Sequence, residues 1–176
     1  MSSIDKAEVL KKKGNTEFQN GNYIAALQSY TSAIDLVEDK TFYSNRAFCY
    51  LKLKKYKQCM NDCTQALTID PNFAKAWGRR GEASLILGNV QAAIADYIKA
   101  LNVEPNNITL KKGMEYAELM KSYEKDLVQV TEEGDIEAAI RKIEIILEGC
   151  TEYTDMELKR MELWNNNGDM DKTLNR

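Results

Sequence analysis

Residues 74–105 read AKAWGRRGEASLILGNVQAAIADYIKALNVEP, and the phasing of this stretch decides how the chain folds. Apolar residues recur at Ala93, Tyr97, Ala100 and Leu101, the spacing of one helical face, without the β-branched alternation of a strand. Gly88 marks a turn between two such runs. Glu104-Pro105 ends the second run, because proline disfavours helical backbone in the residue before it. The stretch is a helix, a turn and a second helix.

The unit recurs upstream. NGNYIAALQSYTSAIDL and KKYKQCMNDCTQALTIDP align with LGNVQAAIADYIKALNVEP, and the turn positions Gly21, Lys54 and Gly88 fall 33 and 34 residues apart. That period is the length of a helix-turn-helix repeat. Downstream the register slips, for the next turn signal, EEGDIEAA at Gly134, follows Gly88 by 46 residues. A long helix from about Asn107 to Glu132 absorbs the extra length: it holds no Pro, one Gly, and apolar residues at Met114, Ala117, Leu119, Tyr123 and Leu127. Gly168 follows Gly134 by 34 residues, which predicts a degenerate fourth unit and the start of a fifth. Such an abrupt stop, without a polar capping helix, is expected of a fragment of something longer.

Composition narrows the function classes. Against 27 acidic residues stand 24 basic ones, a net charge of -3, which removes the usual electrostatic case for nucleic acid. With 44% apolar and 29% charged residues, 9 Gly and 2 Pro, a soluble helical protein is expected. No apolar leader opens the chain and no long apolar run follows, so a cytoplasmic setting without a membrane span is expected. Cys49, Cys59, Cys63 and Cys150 show no CxxC spacing, and the absence of His excludes a mixed Cys/His zinc site. We read these cysteines as buried small apolar residues, with neither a metal nor a cofactor implied. An enzyme is not expected either: there is no His, no phosphate-binding Gly loop and no Cys beside a base.

The third unit, Trp77-x2-Arg80-Gly81-x2-Ser84 followed by Ala93-x3-Tyr97, Ala100 and Pro105, resembles the tetratricopeptide repeat (TPR) pattern. Gly14, Ala26, Tyr30 and Ala33 fill its slots in unit one; Tyr43, Ala47, Tyr50, Cys59, Cys63, Ala66 and Pro71 fill them in unit two. The resemblance implies an all-α fold, a right-handed superhelix (α-solenoid) of antiparallel helix pairs. Small residues at Gly14, Ala47 and Gly81 are expected to let paired helices approach, with Tyr30, Cys63 and Tyr97 filling the space between units. Residues 5–119 then form three units and a capping helix, and residues 120–176 the degenerate fourth unit and truncated fifth.

A TPR stack lines one groove with the first helix of each unit. Those helices carry Lys11 and Asn15, then Asn45, then Lys75 and Arg79, two amides and three cations suited to a ligand with two carboxylates. The set is similar, slot for slot, to the carboxylate clamp of TPR co-chaperones that hold the C-terminal Glu-Glu-Val-Asp of heat-shock proteins 70 and 90. The resemblance implies that Lys11, Asn15 and Asn45 bind the terminal carboxylate, Lys75 the Asp side chain and Arg79 the peptide upstream, with Phe18 flanking an apolar ligand side chain. Lys75 and Arg79 are treated as exposed charges whose loss leaves the thermal melt unmoved. Glu124 and Val128 stand where unit one has Lys11 and Asn15, so the C-terminal units lack the clamp. The alternative is a TPR scaffold that binds an internal segment of a partner. A co-chaperone with a J-domain, or a TPR plus armadillo-repeat chaperone of myosin, are the parents considered. Lacking His, this chain cannot hold the His-Pro-Asp of a J-domain. Weak self-association is expected through an apolar stripe at Leu158, Met161 and Trp164.

Overall fold

The computed structural model describes residues 2–149, and these form eight helices with no strand among them. They are α1 (Ser3–Gln19), α2 (Tyr23–Leu36), α3 (Lys40–Lys52), α4 (Tyr56–Ile69), α5 (Ala74–Ile86), α6 (Val90–Val103), α7 (Ile108–Glu132) and α8 (Ile136–Gly149). The expected fifth unit and the stripe at Leu158, Met161 and Trp164 lie outside the described residues. Ser2 starts α1 with a reciprocal capping box: its hydroxyl accepts from the Asp5 N–H, and the Asp5 carboxylate accepts from the Ser2 N–H. Asp39 and Asn107 cap α3 and α7 in the simpler one-sided way.

The four turns inside the units are built alike. Gly21, Lys54, Gly88 and Gly134 all have positive φ, at 79°, 56°, 81° and 79°. At each, the N–H of the turn residue reaches the carbonyl three residues back, and the next N–H reaches five back: Asn22 to Glu17, Lys55 to Tyr50, Asn89 to Ser84 and Asp135 to Val130. These are Schellman caps, which satisfy the last carbonyls of one helix while reversing the chain into the next. Lys54 adopts the left-handed conformation with a side chain that normally resists it, at about 1–2 kcal/mol.

Each helix packs on the one before it, and the first helices also touch across units, α1 on α3, α3 on α5 and α5 on α7. Close approach depends on glycine. A Cβ on Gly14 would lie 2.7 Å from the Tyr30 ring, and one on Gly113 would lie 2.6 Å from Tyr97. Ala26, Ala33, Ala47, Cys59, Cys63, Ala66, Ala93 and Ala100 are all fully buried, so small side chains fill the seams between helices. The cysteines of the described residues fit that packing role. Burial lifts the Cys49 thiol to about 12, which leaves it protonated at neutral pH.

One polar pair repeats within this apolar frame. Arg46 donates two hydrogen bonds to Asp62 at 2.7 and 2.8 Å and a third to Thr31 of the preceding unit. Arg80 does the same with Asp96 and Thr64. Both aspartates are only 5% exposed, so the pairs tie the two helices of a unit to each other and to the previous unit. Arginine and aspartate stand eight residues before and after the turn residue. About Gly134 the same two places hold Asp126 and Lys142, which pair at 2.9 Å. The ion pair is kept between α7 and α8 with its signs exchanged.

The α7 helix runs unbroken over Ile108–Glu132, matching the long helix expected from about Asn107 to Glu132.

Two stability outcomes follow from this frame. Gly14→Ala should lower unfolding free energy by about 1–3 kcal/mol in urea titration, because the Tyr30 ring is wedged and cannot retreat. Gly78→Ala should cost less, since the flexible end of Leu110 faces it. Asp96→Ala should cost about 2–3 kcal/mol by stranding a part-buried guanidinium, whereas Glu137→Ala, which breaks the exposed pair with Arg141, should stay within about 0.5 kcal/mol.

Candidate functional site

The structure brings Asn15, Phe18 and Asn45 together around one depression and Lys75 and Arg79 around a second, and a contact between Asn15 and Asn45 joins two of the first helices. Asn15 Oδ1 accepts from the Tyr30 hydroxyl at 2.7 Å and from Asn45 Nδ2 at 3.2 Å. With its oxygen doubly engaged, the Asn15 amide is oriented so that Nδ2 stays available as a donor. Tyr30 is held in its protonated, donating form: burial lifts its hydroxyl to about 12, with Cys49 adding to the shift and Arg79 opposing it. Asn15, Phe18, Tyr30, Asn45 and Phe48 surround a depression of about 220 Å³. Phe18 lies against its wall, stacked on Phe48 with ring centres 4.7 Å apart.

A larger cavity of about 560 Å³ adjoins Phe48 on the side of α5 and α7. Lys75, Arg79 and Glu82 supply its charges, and Leu85, Leu110 and Tyr97 its apolar wall. Lys75 is exposed and makes no ion pair among the described residues. Phe48 lines both spaces, so the two depressions are successive parts of one surface.

Lys11 borders neither space. Its ammonium pairs with Glu8 of its own helix at 2.6 Å and sits 5.8 Å from the centre of the Phe42 ring. A ligand carboxylate would have to draw Lys11 from Glu8 or share it.

Arg79 departs from the expectation of an exposed charge. Its guanidinium donates to the Ser44 carbonyl at 2.6 Å and to the Ser44 hydroxyl, and lies 4.6 Å from the centre of the Phe48 ring. Loss of water pulls its pKa below the ordinary arginine value. It forms no ion pair among the described residues, so it is a part-buried cation held by neutral groups.

Sequence reasoning passed over Ser44, which fixes Arg79, and Phe48, which floors both depressions. It also passed over Glu82, and it gave Tyr30 a packing role only. One signal was present: Asn15-x2-Phe18 and Asn45-x2-Phe48 share a spacing, an amide followed one turn later by an aromatic ring. No group of three or more Cys, Asp or Glu able to hold a metal occurs among the described residues, and none of their helices is long and apolar enough to cross a membrane.

The tetratricopeptide repeat family matches residues 41–73 and again 74–107. A curated relative, the DnaJ homolog subfamily C member 7 homolog of Dictyostelium discoideum, is 36% identical over 149 residues, covering 77% of this chain and 28% of that protein. The chain thus spans less than a third of the length of this relative. Among solved structures, the first TPR of Spaghetti (RPAP3) bound to the HSP90 peptide SRMEEVD is 33% identical with a TM-score of 0.66, covering 68% of this chain and 95% of that one. The second TPR domain of human RPAP3 in complex with the HSP70 peptide SGPTIEEVD is 33% identical with a TM-score of 0.64, covering 66% and 98%. Four like-built turns, glycine-dependent helix pairs and these matches lead to one assignment: the chain belongs to the tetratricopeptide repeat family.

Proposed function

We propose that residues 5–119 are a co-chaperone docking module for the free C-terminal Glu-Glu-Val-Asp of heat-shock protein 90 and heat-shock protein 70, acting in the cytoplasm without catalysis of its own. The observation that carries this reading is the shared hydrogen bond of Asn15 and Asn45, which aims amide donors into a groove whose next charged group, Lys75, has no ion-pair partner among the described residues. Oriented donors beside an unpaired cation suit a carboxylate, since charge-assisted hydrogen bonds are the strong ones. In this reading Lys11, Asn15 and Asn45 hold the terminal carboxylate and Lys75 takes the Asp side chain. Arg79 stiffens the groove through Ser44 and gives the upstream peptide a positive wall. Phe18 flanks an apolar side chain of the ligand. Residues 120–176 extend the stack without adding clamp residues, for Glu124 and Val128 replace the cation and the amide. The structures bound to Glu-Glu-Val-Asp peptides support the reading through their similarity to this chain over about two thirds of its length.

A peptide ending in Glu-Glu-Val-Asp should bind with a Kd of roughly micromolar order, about -8 kcal/mol, because ordering a flexible tail offsets most of the polar contacts. Amidation of its C-terminus should weaken it by about tenfold or more in calorimetry, the worth of one charge-assisted hydrogen bond of about 1.5–3 kcal/mol. Equal affinity for the free and amidated peptides would favour the scaffold reading, in which an internal segment fills the groove.

Lys75 and Arg79 should separate binding from stability. Lys75→Ala should weaken the peptide by about tenfold with an unmoved melting temperature, as for any exposed charge. Arg79→Met keeps the packing on Phe48 but removes a desolvated cation, so the melting temperature should hold or rise while affinity falls by about tenfold. A melting temperature far below the parent's for Arg79→Met would show that the Ser44 hydrogen bonds, and not the charge, are what this residue contributes.

A further inference from the structure

The four turns with positive φ share a backbone but not a charge. Two residues before the turn residue, one after it and three after it, the chain holds Gln19, Asn22 and Ile24 about Gly21, and Ile86, Asn89 and Gln91 about Gly88. None of these is charged. About Lys54 the same places hold Lys52, Lys55 and Lys57, so with Lys54 itself four lysines stand within six residues. About Gly134 they hold Glu132, Asp135 and Glu137, and Glu133 completes four carboxylates within six residues. Both sets are exposed.

The fold makes little use of the lysines. None of the four forms an ion pair among the described residues, and Lys52 alone has a ring contact, 5.1 Å from the centre of Phe48, with Glu82 feeling its charge through space. Lys54 holds the left-handed conformation at φ 56°, where the other three turns use glycine, and like charges so close together repel one another. This turn therefore gives up stability twice, in backbone strain and in repulsion. A local rule broken with no internal gain points outward, to a negative partner.

We propose that the Lys54 turn is a docking surface for a second copy of this chain, which presents its Gly134 turn. The two turns are built on the same pair of hydrogen bonds, so the lysines of one and the carboxylates of the other leave the backbone at matching places. The acidic turn is held only by local contacts: Glu133 accepts from the Gln129 amide, Asp135 from the Ala138 N–H, and Glu137 pairs with Arg141 of its own helix at 3.6 Å. Within one copy α5 and α6 stand between the two turns in the stack, so the contact forms between copies. Each copy carries one turn of each sign, which makes the contact heterologous and leaves a free turn at either end. It does not depend on what fills the groove.

Sedimentation of the full chain over a concentration series tests it. Association should appear at about 0.01 M salt, where charges act over about 30 Å, and weaken by about tenfold or more at about 0.1 M, where they act over about 10 Å. Lys54→Gly combined with Lys55→Glu should abolish it, as should Glu132→Lys combined with Glu133→Lys. Mixing these two variants should restore association, and as dimers only, because one keeps the acidic turn and the other the basic turn. Lys54→Gly alone should raise the melting temperature while weakening association, the separation expected of a residue kept for contact and not for folding. Association that ignores salt, or that survives either double substitution, comes from another surface and overturns the proposal. A parent that stays monomeric at low salt overturns it too, and binding of hexaglutamate by such a monomer would give the Lys54 turn to an acidic partner of another kind.

Discussion

Everything in this structure hangs on four residues with positive φ. Gly21, Lys54, Gly88 and Gly134 turn the chain by the same two hydrogen bonds, so each unit begins with the phase that the last one left. Three of the four positions are glycine, for which the left-handed conformation carries no steric penalty. Constant phase is what brings α1, α3, α5 and α7 into mutual contact as a layer. A groove lined from three units can exist only if that layer is regular, because a ligand pocket spread over separate helices tolerates little drift between them.

The site shows how one hydrogen bond between side chains can organise donors that belong to different units. Asn15 and Asn45 lie 30 residues apart, and Tyr30 completes their arrangement from the second helix of unit one. A buried phenol with its pKa lifted to about 12 is a donor across the whole physiological range, so the amide orientation it fixes does not vary with pH. Arg79 follows the opposite strategy. Its charge is kept without an ion pair among the described residues, with Glu82 acting on it only at longer range.

Turn positions and helix extents were legible in the sequence because they depend on local features: glycine at a fixed interval, proline after a helix, an apolar face at helical spacing. The long α7 was legible for the same reason, as an interval of 46 residues between turns with nothing in it to break a helix. The setting of Arg79 was not. Its spacing from Lys75 puts the two on one helical face, and only Ser44 and Phe48, on a different helix, decide that one of them is enclosed and the other exposed. The exchanged ion pair escaped notice for a related reason, since Asp126 and Lys142 match Arg80 and Asp96 in place and not in residue type. Self-association through the C-terminal stripe concerns residues beyond those described.

That exchange bears on how a repetitive chain avoids assembling out of order. Units of nearly equal length with interchangeable small-residue seams invite a helix to dock on the wrong neighbour while the chain is still collapsing. If α7 were to take the place of α3 against α4, Asp126 would face Asp62, and against α6 it would face Asp96, two carboxylates brought together where little water can reach them. Paired instead with α8, it meets Lys142. The reversed signs act as a key that sets α7 and α8 apart from the two Arg–Asp pairs before them, so the place of this last described helix pair is written into the polarity of its ion pair.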